Sequence, residues 1–148
     1  MVSFVPEGSQ QVVPYLVIAD PAKIIDFLKA GFDAKELARS ADDEGHVHHA
    51  AVKIGDSVVM LGGASEQHKP MQMSIYVYVP DTDETYRRCL AAGGKSLMEP
   101  SDQFYGDRNA GVLDEGGNIW WIGTHIEEVS DEEMKRRERE WMAKKQGA

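Results

Sequence analysis

The sequence predicts an α+β fold of paired βαβββ modules that form a cupped sheet, with a further helix at the C-terminus. The first observation is an internal repeat: residues 13–20 (VPYLVIAD) and 74–81 (SIYVYVPD) are short β-rich runs, 61 positions apart, that both end on an aspartate. The second is that each aspartate opens a helix-like stretch, which three strand-like runs follow. This order predicts a domain over residues 1–126, with modules at about 12–62 and 73–125.

The helix of the first module is predicted to begin after Asp20, because aspartate is a good N-cap residue and Pro21 suits the first helical position. Its apolar residues recur every three or four positions, which predicts one buried stripe. The members of that stripe are Ile24, Phe27, Leu28 and Phe32. The strands that follow are predicted at roughly 36–40, 46–54 and 57–61, with a turn at Gly55-Asp56.

The second module repeats this order. Asp81 is the predicted N-cap of its helix, and Gly93-Gly94 supplies a left-handed stop. The apolar stripe of this helix is Tyr86, Cys89 and Leu90. Strands are predicted at roughly 96–99, 109–113 and 118–123, and the polar segment 62–73 connects the two modules.

Each predicted sheet has one helix to cover one of its faces, so the other faces are expected to curve around a shared cavity. Side chains alternate along a strand, which sorts the run at 74–79 into two sets. The aliphatic set, expected to face the helix, is Ile75, Val77 and Val79. The opposite set is Ser74, Tyr76 and Tyr78. Aromatic rings with polar tips suit a lined pocket, although tyrosines on a plainly exposed sheet face are the alternative.

Residues 127–148 predict a separate, charge-dense helix. Ser130 and Glu133 have the spacing of a capping box at its start. Trp141 belongs to a narrow apolar stripe, which favours a helix that docks on its own body or on a partner subunit over one that lies free in solvent.

Composition limits the function classes. The chain has 148 residues, a formal net charge of -9 and one cysteine. The acidic balance argues against nucleic acid as a partner, and one cysteine excludes an internal disulfide framework and suits a reducing compartment. We see no signal peptide in MVSFVPEGSQQ and no apolar run long enough to span a bilayer. The expected location is therefore the cytoplasm, away from membranes.

The layout resembles the vicinal-oxygen-chelate superfamily, which holds glyoxalase I, bleomycin resistance proteins and extradiol dioxygenases. The resemblance covers roughly residues 12–125 and is closest to a bacterial glyoxalase-like subgroup of mostly unassigned function. The segments that carry it are PYLVIADPAKIIDFL (14–28), HAAVKIGDSVVML (49–61), YVYVPDTDETYRRCLAAG (76–93) and QFYGDRNAGVLDEGGNIWW (103–121). It implies paired modules around a cupped cavity, usually in a homodimer.

The metal chelate of this family uses His or Gln on the first strand of each module and Glu on the last strand. The matching first-strand positions here are Val13 and Ser74. The last-strand positions are Trp121 and either Val59 or, at a register shifted by one, Met60. None of these is a good ligand for a divalent metal. The resemblance therefore implies a metal-free binding member, and we predict neither a metal site nor another cofactor.

The run His46-Val47-His48-His49 is the other candidate for metal chemistry. His46 and His48 share one strand face, an H-x-H spacing that can chelate zinc or copper, while solvated histidines at a strand start are the alternative. His49 leads into the body of the module. It is a candidate pocket residue and general base, or else a histidine at the core edge that bonds to backbone.

The predicted ligand contacts are His49, Tyr76, Gln103, Tyr105, Arg108 and Trp121. Gln103, Tyr105 and Arg108 lie in a loop before a strand, where binding groups are often found. Arg108 can hold a carboxylate or phosphate, or it can take part with Asp107 in an internal network that fixes the loop. By the family register Trp121 faces the cup, where its indole can stack on a ligand or fill the core.

Three functions follow. The first is a homodimeric glyoxalase-like or bleomycin-resistance-like protein that binds a small organic molecule in an aromatic-lined cavity without the usual metal. The second is a lyase, isomerase or dioxygenase with a relocated metal or with His49 as the base. The third is a non-catalytic interaction protein whose cup is closed by its own side chains.

Overall fold

A computed structural model describes residues 1–147 and confirms the predicted order of elements. The first module consists of β1 (Tyr15–Ile18), α1 (Pro21–Phe32), β2 (Lys35–Ala41), β3 (Val47–Ile54) and β4 (Ser57–Gly63). The second consists of β5 (Ser74–Tyr78), α2 (Thr82–Ala91), β6 (Lys95–Asp102), β7 (Asp107–Leu113) and β8 (Ile119–His125). The chain then continues into α3 (Asp131–Gly147).

The two four-stranded sheets have the same topology. Sheet 1 has the order β1-β4-β3-β2 and sheet 2 the order β5-β8-β7-β6. In each sheet the first strand pairs in parallel with the last, and the other pairs are antiparallel. Tyr15 lies opposite Met60 in sheet 1, and Tyr76 lies opposite Trp121 in sheet 2. The internal repeat therefore extends to individual residue pairs.

One hydrophobic core lies between the sheets. Helix α1 packs on sheet 1, α2 packs on sheet 2, and the two helices pack on each other. Trp120 is fully buried and its ring lies 5.6 Å from that of Phe32, so the core is continuous across both modules. The helices approach closely at Gly31, where a Cβ atom would come within 2.6 Å of the Cys89 sulfur.

This core decides where the uncovered faces point. The aliphatic set of β5 packs against it, as predicted, and Tyr76 and Tyr78 lie on the opposite side. Within one chain, each sheet packs one of its faces against the same helical core. The other face of each sheet points outward. We call these the outer faces. Apolar stripes on both helices explain this arrangement, because the helices bury those stripes against each other as well as against their sheets.

Two details of the helices differ from the predictions. Asp20 lies at the N-cap of α1, but its side chain makes no capping hydrogen bond, whereas the Asp81 side chain accepts one from the Glu84 amide at 3.1 Å. On α2, Leu90 is exposed although the apolar spacing predicts it in the buried stripe. The buried residues of this helix are Thr82, Thr85 and Cys89. Tertiary contacts thus select a slightly rotated face, which includes two threonines.

Helix α3 docks on the body of its own chain. Ser130 Oγ accepts a hydrogen bond from the Glu133 amide at 3.2 Å, which confirms half of the predicted capping box. The Trp141 ring lies 5.5 Å from the ring of Phe104, and the Arg137 guanidinium donates to the Phe104 carbonyl at 3.1 Å. No residue of α3 is buried, so its attachment depends on these few contacts. Over residues 1–147, no helix is long and apolar enough to cross a membrane.

Candidate functional site

The outer face of sheet 2 carries an aromatic cluster with charged groups among its rings. Its side chains come from alternate positions of β5, β7 and β8, and the loop before β7 adds one tyrosine. An open depression of about 450 Å³ lies on this face. Its lining residues are Tyr76, Tyr78, Tyr105, Asp107 and His125.

Asp107 is the centre of the cluster. It is the first residue of β7 and only 3% exposed. Its Oδ2 atom accepts hydrogen bonds from the hydroxyls of Tyr76 at 2.7 Å and Tyr78 at 2.8 Å. Its Oδ1 atom lies 3.1 Å from Nδ1 of His125. A buried carboxylate is stable only when donors surround it, and here three neighbouring side chains supply them.

These hydrogen bonds set the protonation states. Burial by itself would raise the pKa of Asp107, but the bonds from Tyr76, His125 and Tyr78 outweigh it and hold that pKa below its usual value. Burial raises the pKa of Tyr76, and the hydrogen bond to Asp107 raises that of Tyr78. At neutral pH the carboxylate is therefore charged, and both phenols are neutral donors.

His125 lies between two carboxylates at the end of β8. Its Nδ1 atom faces Asp107, and its Nε2 atom lies 3.2 Å from Glu128. The hydrogen bond to Asp107 raises the pKa of His125, although partial burial opposes the shift. Both ring nitrogens thus have an acceptor, which favours the imidazolium form.

Asn109 links the loop before β7 to the cluster. Its buried amide donates to the hydroxyl of Tyr105 at 2.7 Å and to that of Tyr76 at 3.2 Å. Its Oδ1 atom accepts from Nε2 of Gln103 at 2.9 Å. The predicted residue Gln103 is therefore not among the lining residues of the depression but orients Asn109, while Tyr105 lines the depression.

Two glycines allow the aromatic rings to lie flat on the sheet. The Tyr76 ring lies over Gly123, where a Cβ atom would collide with the phenol. The Trp121 ring lies over Gly111, where a Cβ atom would come within 2.7 Å of the indole. Alternation along β8 places the two tryptophans on opposite faces, and Trp121 faces outward while Trp120 faces the core, as the family register predicted.

Arg108 is turned away from the depression. Its guanidinium donates to Asp83 in the first turn of α2 at 2.7 and 2.9 Å, and to Asp102 at 3.0 Å. This placement corresponds to the internal network that the sequence left open as the alternative, but the partners are Asp83 and Asp102 rather than Asp107. The reason is strand alternation, since Asp107 and Arg108 are neighbours on β7 and so point to opposite faces.

His49 lies on the outer face of sheet 1, away from the predicted residues of sheet 2. It is half-buried, and its ring lies 5.9 Å from that of Tyr15. It lies opposite Gly62, as Asn109 lies opposite Gly123 in sheet 2. One chain therefore does not bring His49 together with the aromatic cluster.

The His46-Val47-His48-His49 run directly follows an acidic turn, and His46 contacts that turn. Nδ1 of His46 lies 3.2 Å from Asp42, and His48 is exposed. One ligand atom each from Asp42, Glu44 and His46 lie within 4.8 Å of one another, but all three residues are exposed. The structure thus groups His46 with the acidic turn rather than with His48.

The family's four metal-ligand positions do not fit a divalent metal. Trp121 Nε1 donates a hydrogen bond to Ser74 Oγ at 2.9 Å, so the two positions of the second module bind each other. In the first module, the register selects Met60 as the counterpart of Trp121, since Val59 is buried in the core. Val13 directly precedes β1. The set offers no carboxylate and no imidazole.

Sequence reasoning missed Asn109 and His125, and it gave Asp107 only an internal role. The available signal was the alternation along two strands: Asp107 and Asn109 share a face of β7, and His125 shares a face of β8 with Trp121. A larger groove of about 910 Å³ follows β5 beside the β3–β4 hairpin and shares Tyr76 and Tyr78 with the depression. Its charged lining residues are Asp33, Lys35, Lys53 and Asp56, and it lacks the buried carboxylate that the tyrosines of the depression surround.

Comparisons with known proteins agree with this architecture. The family model described as Glyoxalase/Bleomycin resistance protein/Dioxygenase superfamily matches residues 9–122. An uncharacterized protein of Mycobacterium bovis is 35% identical, over 82% of this chain and 88% of that protein. An uncharacterized protein of Mycobacterium tuberculosis strain H37Rv is also 35% identical, over 82% of this chain and 78% of its own length.

Solved structures share the fold. TioX from Micromonospora sp. ML1 aligns with a TM-score of 0.69 at 27% identity, over 80% of this chain and 100% of that chain. TnmS3, an antibiotic binding protein from Streptomyces sp. CB03234, aligns with a TM-score of 0.62 at 20% identity, over 79% of this chain and 96% of that chain. A glyoxalase-related enzyme from Fulvimarina pelagi aligns with a TM-score of 0.64 at 18% identity, over 82% of this chain and 93% of that chain.

Proposed function

Because the chain belongs to the Glyoxalase/Bleomycin resistance protein/Dioxygenase superfamily, we propose that it binds a small organic molecule on the outer face of sheet 2, without the metal of the catalytic members. The observation that carries this proposal is the depression in which three tyrosines surround a buried, ionised carboxylate. A concave site with aromatic walls and a few fixed polar groups is the usual form of a small-molecule site. The fold shared with an antibiotic binding protein is compatible with this role.

The roles of the individual residues follow from their placement. Tyr76 offers a ring for stacking and Tyr105 lines the same depression, while Trp121 offers a second ring beside Tyr76 on the same outer face. Gln103 acts through Asn109, which it orients. The open depression supports a binding role over the alternative of a cup closed by its own side chains.

A second copy of the chain completes the cavity in this proposal. A bound ligand usually has 70–90% or more of its surface buried, which an open depression cannot provide. The outer face of sheet 1 is also uncovered, and it repeats the design of sheet 2: Tyr15 lies over Gly62 as Tyr76 lies over Gly123. Sheet 1 of one copy placed against sheet 2 of the other gives a two-fold dimer with two equal cavities, each including His49.

A thermal-shift screen of the full chain tests the binding function. The panel contains small metabolites, antibiotics and divalent metals, because any ligand that prefers the native state raises its stability. We expect at least one organic hit that stabilises the wild type, with a smaller shift in Trp121→Ala and an unchanged shift in the control Phe4→Ala, which alters an exposed ring elsewhere. A hit that stabilises Trp121→Ala as well as the wild type would place its site elsewhere.

Metal content is the second arm of this test. The protein is purified with a chelator and then given zinc, nickel, manganese or iron. Tight, stoichiometric uptake of any of these would contradict the proposal and favour a lyase, isomerase or dioxygenase with a relocated metal.

The dimer has its own test. Sedimentation equilibrium is expected to give about twice the chain mass of 16.4 kDa. Met60→Arg places a charge on the outer face of sheet 1, outside the depression, and is expected to weaken both dimerisation and ligand binding. Met71→Arg, at an exposed site in the connector, is the control. A monomer that binds the ligand with full affinity would refute the proposed role of the second copy in the cavity.

We also propose that the protein is located in the cytoplasm.

A further inference from the structure

The depression on sheet 2 has a distinct charge. Within residues 1–147, no lysine or arginine is among its lining residues. The nearby guanidinium groups are engaged elsewhere: Arg108 pairs with Asp83 and Asp102, and Arg137 pairs with Glu127 and the Phe104 carbonyl. Among the lining residues of the depression, an anionic ligand would therefore meet no cationic partner except His125, which already lies between two carboxylates.

The charges in and directly beside the depression are mostly negative. Asp107 is an ionised carboxylate, and Glu128 lies on the far side of His125. With His125 protonated, these three groups sum to one negative charge. Lys35 and Lys53 line the adjoining groove rather than the depression, and the formal net charge of the chain is -9. Such a surface attracts cations over several ångströms and repels anions.

The tyrosine rings add exposed ring faces, against which a cation can lie, to this negative charge. The rings of Tyr76 and Tyr78 have centroids 5.1 Å apart and are inclined by 55°. Both phenols donate to the Asp107 carboxylate, which makes the ring faces richer in electrons. Tyr78 is 63% exposed, and Tyr76 and Tyr105 are 38% and 37% exposed, so a ligand can reach their faces. A cation within about 6 Å of such a ring centroid is attracted by the ring quadrupole.

We propose that this depression selects organic cations, with a protonated or quaternary amine seated against the rings of Tyr76 and Tyr78. The inference rests on the proposed function and specifies the ligand class of that site. Asp107 acts from beneath the rings: being buried and already bonded, it supplies charge and fixes the phenols without contacting the ligand. The remainder of the ligand extends toward Trp121 and the second copy of the chain.

The test compares three probes of one shape. Choline, its uncharged isostere 3,3-dimethylbutan-1-ol and the anion 3,3-dimethylbutanoate are titrated into the full chain, and the resonances of the tyrosine rings are followed by NMR. We expect choline to shift Tyr76 and Tyr78 and to bind at least about tenfold more tightly than the isostere, which corresponds to about 1.4 kcal/mol. The anion is expected to leave both rings unshifted.

Variants assign the effect to the rings. Tyr78→Leu is expected to reduce choline affinity several-fold, whereas Tyr78→Phe keeps the ring and retains most of it. Phe4→Leu, which alters an exposed ring outside the depression, is the matched control. A retained thermal unfolding midpoint shows that Tyr78→Leu is folded, as expected for so exposed a side chain.

The outcomes separate this inference from the proposed function. If the isostere or the anion shifts the same rings as strongly as choline, cation selection is refuted, whereas small-molecule binding on this face stands. If Tyr78→Leu binds choline as the wild type does, the assigned position is refuted. If neither these probes nor any compound of the thermal-shift panel affects the rings, both proposals fall.

Discussion

The docking of α3 yields a prediction that can be worked out from one side chain. Trp141 is 39% exposed, so about three fifths of its surface is covered. For a side chain of roughly 200–250 Å² this is about 120–150 Å², or at most about 3–4 kcal/mol at 25 cal/mol per Å². Lys145 of the same helix lies over the Trp141 ring and supplies part of that cover. We therefore expect Trp141→Ala to weaken the docking of α3 by about 1–2 kcal/mol.

Hydrogen exchange measures this loss directly. An undocked helix of 17 residues is only marginally stable in water, so amide exchange in α3 reports the docking equilibrium. A loss of 1–2 kcal/mol corresponds to about 5–30-fold faster exchange. Alanine has a higher helix propensity than tryptophan, so a change in propensity alone would slow exchange instead. The thermal midpoint of the body is expected to stay nearly unchanged, because no residue of α3 is buried.

The control is Met142→Ala, at the next position of the helix, where the side chain is 48% exposed. The Phe104 ring lies 5.3 Å from that of Tyr105, so the Tyr105 ring resonances should also shift in Trp141→Ala and not in the control. Equal exchange in the two variants, or an unchanged Tyr105, would show that the Trp141–Phe104 contact does not hold the helix to the rim of the site.

Three further predictions concern the body of the protein. Because the folded pKa of Asp107 is depressed, its stabilising contribution is present above the usual pKa of about 4 and disappears as the pH falls below it. Urea unfolding from pH 7 to pH 3 should show this loss, and a weaker loss in Asp107→Asn. Gly123→Ala forces Tyr76 off the sheet and should cost about 1–3 kcal/mol in the same assay, so a neutral effect would contradict the packing. Burial raises the pKa of Cys89 to about 12, so a thiol reagent should modify it only after unfolding, and rapid native modification would refute its burial.

The fold could be predicted from the sequence because its signals are local. Alternation along β5 and β8 separates Tyr76 from Val77 and Trp121 from Trp120 without any tertiary information. The repeated run that ends on an aspartate likewise marks both modules. These patterns depend on the geometry of neighbouring residues, which each segment carries within itself.

The site could not be predicted from the sequence, because its contacts join residues of different strands that are distant along the chain. The partners of Asp107 come from β5 and β8, and they meet it only because the strand order is β5-β8-β7-β6. The choice of Met60 over Val59 required the register between β1 and β4, and the direction of Arg108 required Asp83 on α2.

By itself, then, the sequence determined the two modules and the division of side chains between the two faces along β5 and β8, and through the family resemblance it predicted poor metal ligands at the four matched positions. Only the tertiary structure decided which outward side chains meet. Hydrogen-bond partners in a sheet are chosen by strand order and register, which result from the packing of the whole chain and are not encoded in the spacing of any single segment.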